Sequence, residues 1–353
     1  MNIQHSTFNA EPSSKLQTQA LEVECSMLNV ECSQPFRWFF AAPLLALLSF
    51  AANAADTNAP AKLDRYISYT NVVLEDVPWS VHVVKLDRAR ADLRFYATLG
   101  GGENMGSDIV TEQIKSVPRE VGQPLAAING DFYEKAKDYP TRPRDVQIRR
   151  GEVLTQPAGH SSFWIDANGQ PQLTNIASRF RVVWPTGRAT PFVMNTERAD
   201  DAAVLFTSVI GKSTQTKGGV EYVLEKAVDG NFPPLRAGVT NVARIRAIQT
   251  AGNTLIERDT AVLSLGPTLA ASAPALKPGD TLQLVTETFP DLAGVDFAIG
   301  GGPALVKDGK VMTWKGWVHV RHPRTAIGWS KTHFYLVEVD GRQLDLSVGM
   351  TFA

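Results

Sequence analysis

The chain has 353 residues and a formal net charge of −1. A charge this close to zero gives no electrostatic reason to expect a nucleic acid or an acidic membrane surface as a partner. The length is enough for one large domain, or for a domain with an inserted lobe, held together by its own hydrophobic core.

An apolar run occupies residues 38–52 and is followed directly by Asn53 and Ala54. Its length of about 15 residues is below the roughly 20 that a membrane-spanning helix needs. Arg37 before the run and the small residues at its end are typical of a secretory signal peptide, although a buried core helix is the alternative. We expect cleavage near Ala54, a secreted or periplasmic protein, and no stable membrane span after cleavage.

Residues 1–37 are interpreted as a non-structural leader, because signal peptides begin close to the initiator and this one begins late. We expect translation to start at Met27. The two cysteines of the chain, Cys25 and Cys32, both precede the expected cleavage point. The mature protein would therefore have no disulfide, no thiolate metal site and no cysteine nucleophile.

The first part of the mature chain predicts strands and one helix. After a linker at 55–65, β-branched and aromatic residues alternate over 66–96, which predicts antiparallel strands. A helix is predicted for 107–117, where apolar residues recur on one face and Pro118 ends the pattern. The apolar stretch 125–128 predicts a short buried strand.

The remainder predicts β-structure almost throughout. Hairpins are predicted at 147–154 and 162–173. Between about 180 and 290 short strands alternate with turns, which favours an inserted all-β lobe, and three more strands follow between 296 and 345. We therefore expect an α+β fold: one domain over 66–353 with a mixed, largely antiparallel sheet and few helices.

Asn129, Gly130 and Asp131 follow the predicted buried strand. A type I′ hairpin turn is sufficient to explain them. A functional interpretation is also open, because loops at strand ends often carry chemistry. The carboxamide and the carboxylate would then bind sugar hydroxyls, or one of them would act as acid, base or nucleophile.

A second glycine-rich turn consists of Gly300, Gly301 and Gly302, followed by Pro303. Glycines allow a backbone to approach a ligand closely and to direct N–H groups at it, which suits a phosphate. The alternative is a flexible turn in which the proline ends the strand.

Arg324 lies in a segment with His319, His322, Trp314 and Trp317. A guanidinium group pairs with two phosphate oxygens and keeps its charge, while the tryptophans suit either a sugar face or the core. The two histidines lack further ligands for a three-ligand metal site. We expect no cofactor, and leave a divalent cation open.

Asp340 and Arg342 stand on either side of Gly341. They would brace a binding site, or form a solvated hairpin tip whose ion pair contributes under about 1 kcal/mol.

The order and spacing of these motifs resemble the phosphodiester glycosidase family, which includes the lysosomal enzyme that removes N-acetylglucosamine from a sugar phosphodiester. The matching segments are 129–133, 300–303, 324–328 and 340–342, and the resemblance extends over about 66–351.

The resemblance implies hydrolysis of the bond between the anomeric carbon of a sugar and a phosphate oxygen, in the cell envelope or outside the cell. Asp131 would be the carboxylate at the sugar, with Asn129 orienting it and Asp340 completing the site. The substrate and its phosphate would be bound by the remaining motif residues, Gly300, Gly301, Gly302, Arg324, Thr325 and Arg342.

The resemblance also implies a helix and a strand after residue 351, ending in an Asp-Gly-Gly-Gly-Ser turn at the site. We therefore expect the family's domain to be C-terminally incomplete here. The alternative functions are a catalytically silent protein that binds glycans or assists envelope polysaccharide assembly through the same cleft, and a fragment without function.

Overall fold

The computed structural model describes residues 66–74, 76–314 and 319–351. The predicted leader, signal peptide and linker lie outside the described residues, as does Trp317. Within the described ranges, no helix has the length and apolar character needed to cross a membrane.

Strands dominate the described part of the chain. In chain order they are β1 (Ile67–Leu74), β2 (Trp79–Asp87), β3 (Tyr133–Glu134), β4 (Arg142–Pro143), β5 (Gln147–Arg149), β6 (Glu152–Thr155), β7 (Ser161–Ile165), β8 (Pro171–Asn175), β9 (Ala177–Val183), β10 (Ala189–Pro191), β11 (Val193–Met194), β12 (Ala203–Thr207), β13 (Val220–Lys226), β14 (Thr240–Gln249), β15 (Ala261–Leu265), β16 (Thr281–Phe289), β17 (Phe297–Gly300), β18 (Val306–Lys307), β19 (Lys310–Val311), β20 (Arg324–Trp329) and β21 (His333–Val339).

Three larger sheets are formed. The first has the order β1-β2-β21-β20 and joins the beginning of the described chain to its end. The second has the order β6-β5-β17-β7-β8, and the third has eight strands in the order β10-β9-β16-β14-β13-β15-β12-β11. Two short hairpins, β3-β4 and β18-β19, complete the β-structure of the described residues.

The five-stranded sheet lies between the other two because its strands are apolar on both faces. Along β7, Phe163 packs in one cluster and its neighbour Trp164 in another, as expected when successive side chains point to opposite faces. The Trp164 side meets apolar residues of the eight-stranded sheet. The Phe163 side meets the four-stranded sheet through Phe95, whose ring centroid is 5.3 Å from Phe163 and 4.9 Å from Phe334. This central sheet positions the site.

The predicted α+β class is wrong, because the fold is mostly β. The described residues contain two short α-helices, α1 (Val110–Lys115) and α2 (Pro267–Ala270). Of the helix predicted for 107–117, only the six residues of α1 are helical; α1 has no side-chain cap and buries none of its residues. Short helices are only marginally stable in water without tertiary packing, and no buried face is present here to stabilise a longer one.

The local predictions had mixed results. The hairpins predicted at 147–154 and 162–173 are confirmed as β5-β6 and β7-β8. The strand predicted at 125–128 is wrong, because these residues cross the four-stranded sheet without joining a ladder. The eight-stranded sheet is formed by residues 177–289, the stretch that suggested an inserted lobe; the division into domains stays a prediction.

Candidate active site

A cavity of about 2150 Å³ opens between the central sheet and the four-stranded sheet. It is lined by six of the nine predicted site residues, Asn129, Asp131, Gly300, Gly301, Gly302 and Thr325. The other three, Arg324, Asp340 and Arg342, are not among the described residues that line it. The cavity is therefore the candidate site, and the nine residues divide into two groups.

Asp131 is a partly buried carboxyl group of the cavity wall. Its Oδ1 accepts a hydrogen bond from the backbone N–H of Phe132 at 2.7 Å, and its Oδ2 accepts one from the N–H of Asp145 at 2.6 Å. Burial raises the pKa of Asp131 to about 7, and the nearby charge of Asp145 acts in the same direction against the two hydrogen bonds. Such a carboxyl group is present in both acid and base forms near neutral pH.

Asp145 is fully buried and organises the loops around the site. Its carboxylate accepts hydrogen bonds from the backbone N–H groups of Val146 at 2.7 Å, Ala158 at 2.6 Å and His160 at 3.0 Å. The ring Nδ1 of His160 lies 3.1 Å from the same carboxylate. Because its oxygens already have these donors, we assign Asp145 a structural role.

Gly300 is required by the close approach of these two aspartates. A Cβ atom at this position would lie 2.5 Å from Cβ of Asp145 and 2.7 Å from Oδ2 of Asp131. Both distances are well below van der Waals contact, so a side chain would displace one carboxyl group or the other.

The glycine amides only partly fit the predicted phosphate cradle. Gly300 donates its N–H to the carbonyl of Val146 at 2.8 Å, and Gly301 donates to the carbonyl of Ser161 at 2.9 Å. Both amides therefore belong to the sheet, and a cradle at this turn depends on Gly302.

Arg324 is 1% exposed and is not among the described residues that line the cavity. Its Nε donates to the carbonyl of Met350 at 3.0 Å, and its Nη2 donates to the carbonyl of Val320 at 2.8 Å. Burial lowers the pKa of Arg324 to about 10, with the charge of Arg342 adding to the effect. These two hydrogen bonds link chain segments around Arg324, and its predicted phosphate-binding role stays a prediction.

Asp340 pairs with His82, a residue that the sequence did not single out. Asp340 Oδ2 lies 2.8 Å from Nε2 of His82, and both side chains are largely buried. Their hydrogen bond raises the pKa of His82 and lowers the pKa of Asp340. Ser80 Oγ lies 3.3 Å from the same Nε2 atom. A Ser-His-Asp relay needs the serine on one ring nitrogen and the aspartate on the other, so these three groups do not form one.

Arg342 lies in the adjacent turn, where its Nη2 is 3.0 Å from Nδ1 of His322. A guanidinium group only donates, so this ring nitrogen accepts. Burial lowers the pKa of His322, and the charges of Arg324 and Arg342 act in the same direction. Gly341 is needed here because a Cβ would lie 2.5 Å from the nitrogen of Pro323.

No cluster of three or more metal-ligating side chains occurs among the described residues. Trp314 donates its indole N–H to the carbonyl of Ala304 at 3.0 Å, which fixes the ring beside the glycine turn. Nδ1 of His322 accepts a hydrogen bond from Arg342, so this nitrogen is not available to a cation.

Comparisons with known proteins support the sequence resemblance. Residues 225–353 match the family model for phosphodiester glycosidase, which confirms the recognition of that family's pattern in this part of the chain. No curated protein matches the chain.

Two solved structures share the fold. A protein of Burkholderia pseudomallei K96243, proposed to be exported, has 21% identity and a TM-score of 0.56, covering 78% of this chain and 64% of its own. A hypothetical protein from Synechocystis has 14% identity and a TM-score of 0.58, covering 81% of this chain and 52% of its own. This chain thus spans less than two thirds of either neighbour, and the likeness concerns the fold alone.

The contact at Gly300 gives a matched stability test. We expect Gly300→Ala to lower the free energy of unfolding by about 2 kcal/mol or more, because its methyl group has no room. Gly301→Ala is the control, since its Cβ would meet nothing closer than 3.8 Å. Chemical denaturation measures both variants, and equal losses would contradict the assigned contact.

The burial of Arg324 gives a second test. Arg324→Met leaves the carbonyls of Met350 and Val320 without these donors, and we expect a loss of about 2–4 kcal/mol in the free energy of unfolding. Arg342→Met, at an exposed position, should change it by less than about 0.5 kcal/mol. A fully stable Arg324→Met protein would show that this arginine has no structural role.

Proposed function

We propose that this chain is a hydrolase that cleaves the bond between C1 of a sugar and a phosphate oxygen, with Asp131 as the reacting carboxylate. The observation that carries the proposal is the position of Asp131 on the cavity wall, with its pKa raised to about 7. The match to the phosphodiester glycosidase family over 225–353 supports the reaction class.

Hydrolysis of a sugar phosphodiester at C1 requires one reactive carboxylate at the sugar. Glycoside hydrolysis passes through an oxocarbenium-like state that a carboxylate stabilises, and many glycosidases add a second carboxyl group to protonate the leaving group. A phosphate leaves without such help, since it is already acidic. Asp145 is not needed as an acid, which agrees with its complete burial.

Asp131 acts in its ionised form, either by attacking C1 or by taking a proton from the attacking water. The C1–O bond breaks, the phosphate monoester leaves with the bonding electrons, and the sugar gains the hydroxyl group of water. A base is most useful when its pKa is close to the working pH. Asn129 and Thr325, on the same cavity, are the groups that we assign to the sugar hydroxyls.

We also propose that the protein acts outside the cytoplasm, on a glycan phosphodiester of the envelope or the surroundings. The support is the signal-peptide pattern of residues 38–54 together with a structural neighbour that is itself proposed to be exported.

Replacement of Asp131 tests the reaction. The methyl phosphodiester of N-acetylglucosamine 1-phosphate is a suitable substrate, and Asp131→Asn should lower kcat by at least about 100-fold. Asp229→Asn, in an exposed turn of the eight-stranded sheet, is the control and should keep full activity. A wild-type protein that binds the diester without hydrolysing it would favour the glycan-binding function instead.

The raised pKa of Asp131 predicts the pH profile. Because the ionised form is the active one, kcat/KM should rise with pH and level off above about 7. Initial rates between pH 5 and 9 measure the profile. A rate that falls through the same range would show that Asp131 acts as an acid.

A further inference from the structure

Arg144 is held beside Asp131 by the backbone. The N–H of Arg144 donates to the carbonyl of Phe132 at 2.8 Å. The N–H of the next residue, Asp145, donates to Oδ2 of Asp131 at 2.6 Å. The β3-β4 hairpin continues directly from these two chain segments. The segment that carries Arg144 is therefore bonded both to the carboxyl group of Asp131 and to the residue that follows it.

The side chain of Arg144 lies over an aromatic ring of the cavity. Its guanidinium carbon is 4.6 Å from the centroid of the Phe132 ring, which is a cation–π contact. Phe132 lines the cavity, and its N–H donates to Oδ1 of Asp131 at 2.7 Å. The positive charge is thus placed on the residue adjacent to the proposed reactive carboxylate.

The charge of Arg144 is not neutralised by a salt bridge within the described ranges, and its Nε atom is buried without a hydrogen-bond partner there. The neighbouring Arg142 differs, because it pairs with Glu134. A guanidinium group keeps its charge over the whole range in which carboxyl groups titrate. A permanent, unneutralised cation close to a carboxyl group favours the ionised form of that group.

The ionisation of Asp131 depends on opposing effects. Burial disfavours its charge, and the nearby carboxylate of Asp145, which His160 contacts through Nδ1 at 3.1 Å, acts in the same direction. Two backbone N–H groups and the charge of Arg144 favour the ionised form. Because the resulting pKa of Asp131 is about 7, the group is close to half ionised at neutral pH, and any loss of positive charge nearby would reduce the ionised fraction.

We propose that Arg144 is a positioning residue whose guanidinium, held on the Phe132 ring, supplies the positive charge that keeps Asp131 in its ionised form. This inference rests on the proposed function, because it takes Asp131 as the reacting carboxylate. Arg144 lies outside the four segments that carry the family resemblance, so the sequence motifs did not indicate it.

Direct titration of Asp131 tests this proposal without a substrate. The protein is labelled with ¹³C at the aspartate carboxyl groups, and the Asp131 resonance is identified by its loss in Asp131→Asn. In Arg144→Met, which removes the charge but still covers the ring, we expect the titration midpoint to rise by about half a pH unit or more. Arg144→Lys keeps the charge and should have a midpoint close to that of the wild type.

Arg258→Met is the matched control, because it removes one positive charge from an exposed turn between β14 and β15. Thermal unfolding verifies that each variant is folded, and Arg144→Gln is the second neutral variant if Arg144→Met does not fold. A midpoint that rises only in the neutral Arg144 variants supports the proposal. Equal midpoints in these variants and the wild type overturn it, as does an equal rise in Arg258→Met.

The pH profile of kcat/KM keeps this inference separate from the proposed function. With the phosphodiester as substrate, Arg144→Met should lower kcat/KM about threefold at pH 6 and change it little at pH 9, where Asp131 is ionised in both proteins. If the wild type hydrolyses the diester and the two profiles coincide, the inference fails and the function stands. If the Asp131 midpoint rises but the wild type hydrolyses nothing, the effect of Arg144 on Asp131 stands and the function fails.

Discussion

The candidate site depends on the contact of two aspartates at a position where only glycine fits. Gly300 ends β17, and a Cβ there would overlap Asp131 and Asp145. The contact holds Asp131 partly buried on the cavity wall, and the loss of water around its carboxyl group raises its pKa to about 7. Four hydrogen bonds to the Asp145 carboxylate, three of them from backbone N–H groups, offset the free-energy cost of burying its charge.

The sheets explain why this contact can be kept rigid. β17 is the middle strand of the central sheet, paired with β5 on one side and β7 on the other. Its apolar side chains pack against both neighbouring sheets, with Ala298 on one side and Phe297 on the other. Strand ends held in this way place polar groups more accurately than free loops do.

The sequence predicted the turns better than the surroundings of each side chain. Motif order located Asn129, Asp131 and the glycines, which do share one cavity. The role of Arg324 stays a prediction, because a guanidinium group serves a phosphate and a buried carbonyl equally well and a sequence pattern does not separate the two. Asp145 and His82 were missed because no sequence motif relates them to their partners. His160 lies 15 residues from Asp145, and Asp340 lies 258 residues from His82. The helical content was overestimated because an apolar face predicts a helix only where another element covers it.

The most direct test of the central claim is ³¹P NMR of the wild-type protein mixed with the methyl phosphodiester of N-acetylglucosamine 1-phosphate. We predict that the diester resonance decreases while that of methyl phosphate appears in equal amount, with free N-acetylglucosamine released. The appearance of N-acetylglucosamine 1-phosphate instead would show cleavage on the other side of the phosphorus and contradict attack at the sugar. An unchanged diester resonance would contradict hydrolysis altogether.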